Sequence, residues 1–153
     1  MLDTLDVLNS TLSSTLRFWR GTNARPAAEQ PARPLQLYEF EACPYCRLVR
    51  EALTELDLDA LIHPTPHGGK RFRPKVEKLG GRQQFPYLVD PNTGESMYES
   101  GDIIAYLYQR YARRPAPSRL LRPLDVSSSV LASVPRLGAG GRARPSRMPK
   151  HPL

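Results

Sequence analysis

The sequence predicts an α/β domain of order βαβαββα, in which a mixed four-stranded sheet carries three helices and irregular segments flank both ends. Apolar runs of strand length alternate with amphipathic runs of helix length between residues 35 and 112, and ten of the sixteen prolines lie outside that range. We therefore predict three regions in the 153-residue chain: a flexible or partly helical segment at 1–34, a folded domain at 35–112 and a basic, proline-rich linker at 113–153.

The domain opens with a strand followed by a helix. The strand occupies the apolar run LQLYEF from Leu35, and the helix covers residues 46–57. Within the helix, Val49, Leu53 and Leu56 share one face at spacings of four and three residues, which is the period of an amphipathic helix. We therefore expect this helix to pack against the sheet.

The later elements are shorter. A second strand is expected at about 60–63, ended by the prolines of HPTPH, and a weak helix at 72–80, ended by two glycines. The runs FPYLVD and SMYES form a hairpin around the turn motif DPNTG. The last helix begins with Ser100 as its N-cap. Its apolar side carries Ile103, Ile104, Leu107, Tyr108 and Tyr111.

Charge is concentrated in the predicted linker. Residues 113–153 carry nine Lys or Arg against the single Asp125, whereas residues 35–112 carry nine against eleven acidic residues. No aromatic residue lies between the linker arginines to stack on bases, so no nucleic-acid partner is expected. No apolar run approaches the roughly 20 residues of a membrane span, and the N-terminus lacks the basic start of a secretory signal. We therefore expect a cytoplasmic protein without a membrane partner.

An internal repeat links the two ends of the chain. Residues 5–26 align with residues 124–145, and eleven of the 22 ungapped positions are identical. A period of domain length indicates a tandem array, and a targeting peptide has no reason to recur inside a chain. Our hypothesis is that the domain is the first unit of a two-domain protein. The alternative is coincidence between two stretches rich in Ser, Leu and Arg.

The motif CPYC stands where the first strand gives way to the first helix. With Cys43 at the N-cap, Pro44 occupies the first helical position, where its fixed φ suits a helix start and its missing N–H costs no hydrogen bond. The Cys43 sulfur then faces the unpaired N–H groups of the first turn, which favour the thiolate. Cys46, one turn later, is placed to attack a mixed disulfide on Cys43. The motif therefore predicts a nucleophile and a resolving cysteine.

Two other interpretations of the cysteine pair remain. In the first, the cysteines are inert core residues, which is a common role for buried cysteine. In the second, they bind zinc together with His63 and His67, because C-x2-C-x16-H-x3-H approaches a zinc-finger spacing. However, zinc-finger histidines lie on one helix, and the prolines of HPTPH oppose a helix there. We therefore expect no metal.

These residues resemble glutaredoxins and the N-terminal, thioredoxin-fold domain of glutathione transferases. The resemblance covers about residues 35–112, and CPYC is typical of dithiol glutaredoxins. The repeat is similar to that of a bacterial and plastid group with two transferase-type N-terminal domains in succession. The resemblance implies a thioredoxin-like fold with glutathione as co-substrate. Some glutaredoxins also hold an iron–sulfur cluster through one cysteine and glutathione, which nothing in this sequence supports directly.

The resemblance also implies a glutathione site. Phe85-Pro86 matches the cis-proline position, where the Phe85 backbone would pair with the cysteinyl part of glutathione as an added strand. Glu99-Ser100 resembles the acidic-Ser pair that holds the γ-glutamyl end. The simpler alternatives are a trans Pro86 that only begins a strand and a Ser100 that only caps a helix. The implied glutathione-binding residues are Tyr45, Phe85, Pro86, Glu99, Ser100 and Asp102.

One departure from the glutaredoxin pattern affects the thiol. Glutaredoxins carry a lysine shortly before the motif, whereas this chain has Glu39 and Glu41. Anions so close oppose thiolate formation. Lys70, Arg71 or Arg73 would then supply the cation for the glycine carboxylate of glutathione, although such a run is more often a solvated face.

The function predicted from these residues is that of a glutathione-dependent thiol-disulfide oxidoreductase that acts on glutathionylated or disulfide substrates. The alternative is a glutathione-binding, transferase-type module without turnover of its own. A third possibility is an adaptor in which the fold mediates dimerisation and the thiols are idle. A tandem second domain and a homodimer are the expected protein partners.

Overall fold

The computed structural model describes residues 22–41 and 43–117. Most of the predicted repeat, together with the linker beyond residue 117, lies outside the described residues. The described elements follow the predicted order βαβαββα. They are β1 (Leu35–Glu39), α1 (Pro44–Glu55), β2 (Ala60–Pro64), α2 (Arg73–Gly80), β3 (Tyr87–Val89), β4 (Ser96–Tyr98) and α3 (Ser100–Leu107), which continues as a π-helical turn (Tyr108–Ala112).

The four strands form one mixed sheet in the order β2-β1-β3-β4, as predicted. β1 is parallel to β2 and antiparallel to β3, which is antiparallel to β4. The parallel pair is connected through α1, since parallel strands need a crossover. Tyr38 pairs with His63 on one side and with Tyr87 on the other, and Tyr87 pairs with Tyr98. These four residues form a row across the sheet, which we call the aromatic row.

α1 and α3 pack on one face of the sheet and form the main core. Leu37 of β1 and Leu88 of β3 contribute to it from the sheet, and Leu53 and Ile103 contribute from the two helices. Each of these side chains is at most 5% exposed, so the predicted amphipathic stripes do face the core. Ile104 is partly buried against the same core.

α2 covers the aromatic row on the opposite face, where Val76 packs against Tyr38 and Tyr87. The His63 ring stacks on Tyr38 with ring centroids 4.5 Å apart, and Tyr87 lies 4.5 Å from Tyr98. Successive side chains of a strand point to opposite faces. The two faces of the sheet therefore bury aliphatic and aromatic residues separately.

Residues 25–33 lie along the domain ahead of β1. The backbone N–H of Arg25 donates to the carbonyl oxygen of Glu55 at 2.6 Å, near the end of α1. The backbone N–H of Arg33 donates to Asn92 Oδ1 at 2.8 Å, in the turn between β3 and β4. This segment is therefore hydrogen-bonded to the domain at both of its ends.

Candidate active site

Three chain segments meet at the edge of the sheet where β1 ends and β3 begins, which is an end of the strands and not an outer strand. The end of β1 leads to the start of α1, and the start of β3 lies beside it because Tyr38 pairs with Tyr87 in antiparallel register. Tyr98 at the end of β4 pairs with Tyr87, so the start of α3 lies at the same edge. The topology thus places all the residues predicted for the site at this edge: Cys43, Tyr45, Cys46, Phe85, Pro86, Glu99, Ser100 and Asp102.

Cys43 is the N-cap of α1, as the sequence predicts. Its backbone is extended (φ −83°, ψ 113°), and Pro44 occupies the first turn of the helix. The Cys43 Sγ accepts a hydrogen bond from the backbone N–H of Cys46 at 3.2 Å. A sulfur in this position satisfies one of the unpaired N–H groups of the first turn, as a serine or aspartate oxygen does in other helices.

The same geometry makes the two thiols unequal. A hydrogen bond from the Cys46 thiol lowers the pKa of Cys43 against the opposing effect of burial, and the backbone N–H groups of Cys46 and Tyr45 lower it further. The charge of Glu39 acts in the opposite direction. For Cys46, the hydrogen bond to Cys43 and burial both raise the pKa. Cys43 is therefore the thiol favoured as an anion, and Cys46 is its donor.

Both sulfurs lie beneath the surface. Cys43 is 3% exposed and Cys46 is fully buried, whereas the Tyr45 side chain between them is 47% exposed. An incoming disulfide must displace the groups that cover Cys43 before it reaches the sulfur. Cys46 is the more deeply buried of the two.

Glu39 lies at the end of β1 and is 5% exposed. Burial raises the pKa of this carboxyl group, and the charge of Arg50 offsets the effect only in part. The Arg50 Nε lies 3.8 Å from Glu39 Oε2, while its Nη1 lies 3.2 Å from Glu41 Oε2. The sequence identified Glu39 as a nearby anion but not as a buried one. Its burial depends on the packing of the end of β1 against the rest of the domain, which is a tertiary feature.

Phe85 and Pro86 form the second part of the site. The peptide bond between them is cis, as the resemblance implies, and Pro86 is buried. The Phe85 ring meets Phe40 edge to face at 6.2 Å. The Arg73 guanidinium lies 4.9 Å over the Phe85 ring, and its Nε donates to the carbonyl oxygen of Pro66 at 2.7 Å. Of the three candidate cations in the sequence, Arg73 is thus the one fixed beside Phe85.

The start of α3 supplies the third part. The helix begins at Ser100, as predicted, but its N-cap is Glu99, so the predicted N-cap is wrong by one residue. The reason is the backbone of Glu99, whose φ of 65° is non-helical and ends the hairpin. Gln84 Nε2 donates to Glu99 Oε1 and holds the carboxylate at the edge of the sheet. Gln84 was not predicted as a site residue. The only signal for it in the sequence is its position directly before Phe85.

Ser100 and Asp102 occupy the first turn of α3. Ser100 is the first residue of the helix, and the side chain of the N-cap residue Glu99 makes no capping hydrogen bond. Asp102 is exposed, and its backbone N–H donates to the carbonyl oxygen of Glu99 at 3.1 Å. The first turn of α3 therefore combines a serine hydroxyl with the backbone N–H groups of a helix start, an arrangement that can bind a carboxylate.

The described residues contain no group of three or more His, Cys, Asp or Glu side chains arranged to hold a metal ion. His63 pairs with Tyr38 in the aromatic row, on the face of the sheet away from α1, so it is not beside the cysteines. In the same part of the chain, no helix is both long and apolar enough to cross a membrane.

Comparisons with solved structures support the fold of the domain. Two structures of a Bombyx mori glutathione transferase, BmGSTD1, one of them a complex with GTT, each match with a TM-score of 0.50 at 28% sequence identity. Each match covers 56% of this chain and 39% of the transferase chain. The chain thus spans well under half the length of the transferase that it matches.

The family comparison covers the whole domain. No curated protein gives a significant match to this sequence. The sequence profile of the glutathione S-transferase N-terminal domain, however, matches residues 37–115, which is more than half of the chain. The chain therefore belongs to the glutathione S-transferase N-terminal domain family, with the thioredoxin-like fold that the sequence predicts.

Proposed function

We propose that this domain is a glutathione-dependent thiol-disulfide oxidoreductase that uses Cys43 and Cys46. The observation that carries the proposal is the Cys43 Sγ, which accepts a hydrogen bond from the Cys46 N–H at 3.2 Å. The hydrogen bonds made by Cys46 also lower the pKa of Cys43. A thiolate is the form of cysteine that attacks disulfides, and attack is fastest when the thiol pKa lies near the ambient pH.

The reaction is a sequence of thiol-disulfide exchanges. The Cys43 thiolate attacks the glutathione sulfur of a protein-glutathione mixed disulfide, and the protein substrate leaves as a thiolate that takes up a proton. The new bond joins Cys43 to glutathione. A second glutathione thiolate then attacks that glutathione sulfur and releases oxidised glutathione, or Cys46 attacks Cys43 and releases glutathione. Glutathione is therefore the reductant and a co-substrate, which requires a reducing compartment such as the cytoplasm.

Glutathione would lie along the edge of the sheet described above. The Phe85 backbone would pair with its cysteinyl part, and Ser100 with the first amides of α3 would bind the γ-glutamyl carboxylate. Glu99 and Asp102 would meet the amino group. Arg73 would meet the glycine carboxylate, because its guanidinium is already fixed over Phe85. Tyr45 is 47% exposed beside the cysteines and would cover the ligand.

A second candidate function is a transferase-type module that binds glutathione without turnover of its own. The burial of Cys43 favours it, because a sulfur that is only 3% exposed is poorly accessible to a protein disulfide. In this case the domain would act only with a partner domain, either a tandem second unit or a second copy in a homodimer.

Reduction of hydroxyethyl disulfide by glutathione separates the two functions. The oxidoreductase predicts turnover in the full chain that falls to the uncatalysed background in Cys43→Ser, because the attacking sulfur is lost. Cys46→Ser is the matched control and retains turnover, since glutathione can resolve the mixed disulfide. Glutathione binding measured by calorimetry without turnover in the unmodified chain would reject the oxidoreductase and support the binding module.

A further inference from the structure

Residues 81–84 connect the end of α2 to Phe85, whose backbone is the proposed partner of the cysteinyl part of glutathione. Tyr98, the last residue of β4, contacts the chain on both sides of Phe85. The glutathione site proposed above gives this tyrosine no role. Its contacts are therefore a part of the site that still needs an explanation.

On the strand side of Phe85, Tyr98 is fixed to β3. It pairs with Tyr87, the first residue of that strand, and the two ring centroids lie 4.5 Å apart. Tyr87 is 1% exposed and directly follows Pro86. Phe85 and Tyr98 both pack against the buried cluster to which Tyr87 and Val76 of α2 belong. The Tyr98 ring is therefore held in place relative to the start of β3.

On the helix side of Phe85, Tyr98 holds the connecting residues. Its hydroxyl donates a hydrogen bond to the carbonyl oxygen of Arg82 at 2.7 Å. The Arg82 guanidinium lies over the Tyr98 ring, 4.6 Å from its centroid. Gln83 Nε2 donates to Glu77 Oε2 at 2.7 Å, which joins the same residues to α2. Tyr98 thus links the chain before Phe85 to the strand that follows it.

The approach of Tyr98 to α2 depends on Gly80, the last residue of that helix. A Cβ atom on Gly80 would overlap the Tyr98 hydroxyl oxygen and would lie 2.7 Å from the ring carbon that carries it. Alanine favours a helix more than glycine does, so the helix itself gives no reason for a glycine here. The tyrosine hydroxyl gives that reason.

We propose that Tyr98 is a positioning residue for glutathione, which holds residues 81–84 so that the Phe85 backbone can pair with the cysteinyl part of the ligand. This inference rests on the glutathione site of the proposed function. Tyr98 acts through Phe85 and does not itself touch the ligand. An added strand binds through backbone hydrogen bonds of about 2.7–3.2 Å, so a small shift of Phe85 weakens them. A segment held before binding also needs less ordering when glutathione binds.

The test compares Tyr98→Phe with Tyr106→Phe in the full chain. Each substitution removes a tyrosine hydroxyl that donates a hydrogen bond at 2.7 Å, but the acceptor of Tyr106 is Asp90, between β3 and β4. Calorimetric titration with glutathione gives the dissociation constant of each variant. We expect Tyr98→Phe to raise it about fivefold, as loss of one hydrogen bond does, and Tyr106→Phe to stay within about twofold. In the hydroxyethyl disulfide assay, the loss should appear in KM for glutathione and not in kcat.

Two further measurements identify the route of the effect. γ-Glutamylcysteine lacks the glycine of glutathione, so Tyr98→Phe should weaken it by the same factor if the lost contact is to the cysteinyl part. Gly80→Ala should also weaken glutathione, because its methyl group displaces the Tyr98 hydroxyl. Added to Tyr98→Phe, in which that hydroxyl is gone, Gly80→Ala should have a smaller effect than it has alone.

Each result decides the question. An unchanged dissociation constant in Tyr98→Phe overturns the proposal, and so does an equal loss in Tyr106→Phe, because a general loss of stability would then explain both. A loss seen with glutathione but not with γ-glutamylcysteine also overturns it, since the effect would act through the glycine carboxylate. An unmodified chain that does not bind glutathione rejects this inference together with the proposed function. Binding that depends on Tyr98 in a chain without turnover keeps this inference and rejects the oxidoreductase alone.

Discussion

Asp90 and Glu39 are both buried carboxyl groups, but they lie at opposite edges of the sheet and are treated differently by the fold. Asp90, in the turn between β3 and β4, is fully buried and accepts hydrogen bonds from the Tyr111 hydroxyl at 2.5 Å and the Tyr106 hydroxyl at 2.7 Å. The backbone N–H of Asn92 adds a third at 2.8 Å. Glu39 has instead the distant Arg50.

The pKa shifts of the two groups follow from this difference. Burial acts to raise the pKa of Asp90, but the hydrogen bonds from Tyr111, Tyr106 and Asn92 lower it overall. Burial raises the pKa of Glu39, and Arg50 does not compensate. Asp90 is a carboxylate supplied with donors that anchors a turn, whereas Glu39 has only the charge of Arg50 nearby. We call the edge of the sheet at Asp90 the structural edge and the edge at Glu39 and the cysteines the reactive edge.

The largest expected effect is on the structural edge. Asp90→Ala should reduce the free energy of unfolding by about 3 kcal/mol or more, because the Tyr106 and Tyr111 hydroxyls lose their acceptor inside the core. Urea denaturation would measure the loss. Glu95→Ala, an exposed carboxylate of the same hairpin, is the control and should change stability by less than about 0.5 kcal/mol. Equal stability of the two variants would contradict the assignment of Asp90.

The two cysteines on the reactive edge also differ in the direction of their pKa shifts. Cys43 is an anion site supplied with donors, as Asp90 is, and the Cys46 thiol is the most important of them. Cys46→Ala should therefore raise the pKa of Cys43, while Tyr45→Ala, which leaves the backbone N–H groups in place, should not. The ultraviolet absorbance of the thiolate as a function of pH measures the pKa of Cys43 in both variants. A Cys43 pKa that is unchanged in Cys46→Ala would show that the helix N–H groups alone stabilise the anion.

A smaller effect is expected for the stability of Glu39 variants. Glu39→Gln removes a charge that has no close donor, so the free energy of unfolding at neutral pH should stay the same or rise by up to about 1 kcal/mol. The same urea experiment compares it with Asp90→Ala. A loss as large as that of Asp90→Ala would mean that Glu39 is a structural carboxylate after all.

The smallest effects are the pH slopes, which should have opposite signs. The pKa of Asp90 is lowered by folding, so its contribution is present above about pH 4 and is lost as the pH falls through the folded pKa. The pKa of Glu39 is raised, so its contribution is present below about pH 4 and is lost as the pH rises through the folded pKa. Asp90→Asn should remove the first slope and Glu39→Gln the second, as measured by melting temperature against pH. Slopes of the same sign would contradict the comparison.

Local signals were sufficient for the elements and for the reactive turn. The alternation from Leu35, the amphipathic spacing after Cys46 and the DPNTG turn each act over a few residues, and all of them gave the correct element. The Cys43 N-cap was predictable for the same reason, because Pro44 can occupy the first turn of a helix but not its interior.

Features that depend on strand register were not predictable. The burial of Glu39 depends on which face of β1 packs against α1. The hydrogen bond from Gln84 to Glu99 joins two residues that are brought together by the pairing of β3 with β4. The one-residue error at Ser100 has a similar origin, since the positive φ of Glu99 is set by the end of the hairpin. The sequence therefore predicted the position of Cys43 at the start of α1, but not the side chains that surround it.

The most direct test of the account is the pH dependence of alkylation at Cys43. Iodoacetamide labelling of the full chain, with the modified cysteine located by mass spectrometry, gives the pKa of this sulfur without any disulfide substrate. We expect half-maximal reactivity at a pH below the pKa of free cysteine, which is about 8.5. A Cys43 that titrates at or above that value would show that the helix N-terminus and Cys46 do not produce a thiolate, and the proposed oxidoreductase would lose its nucleophile.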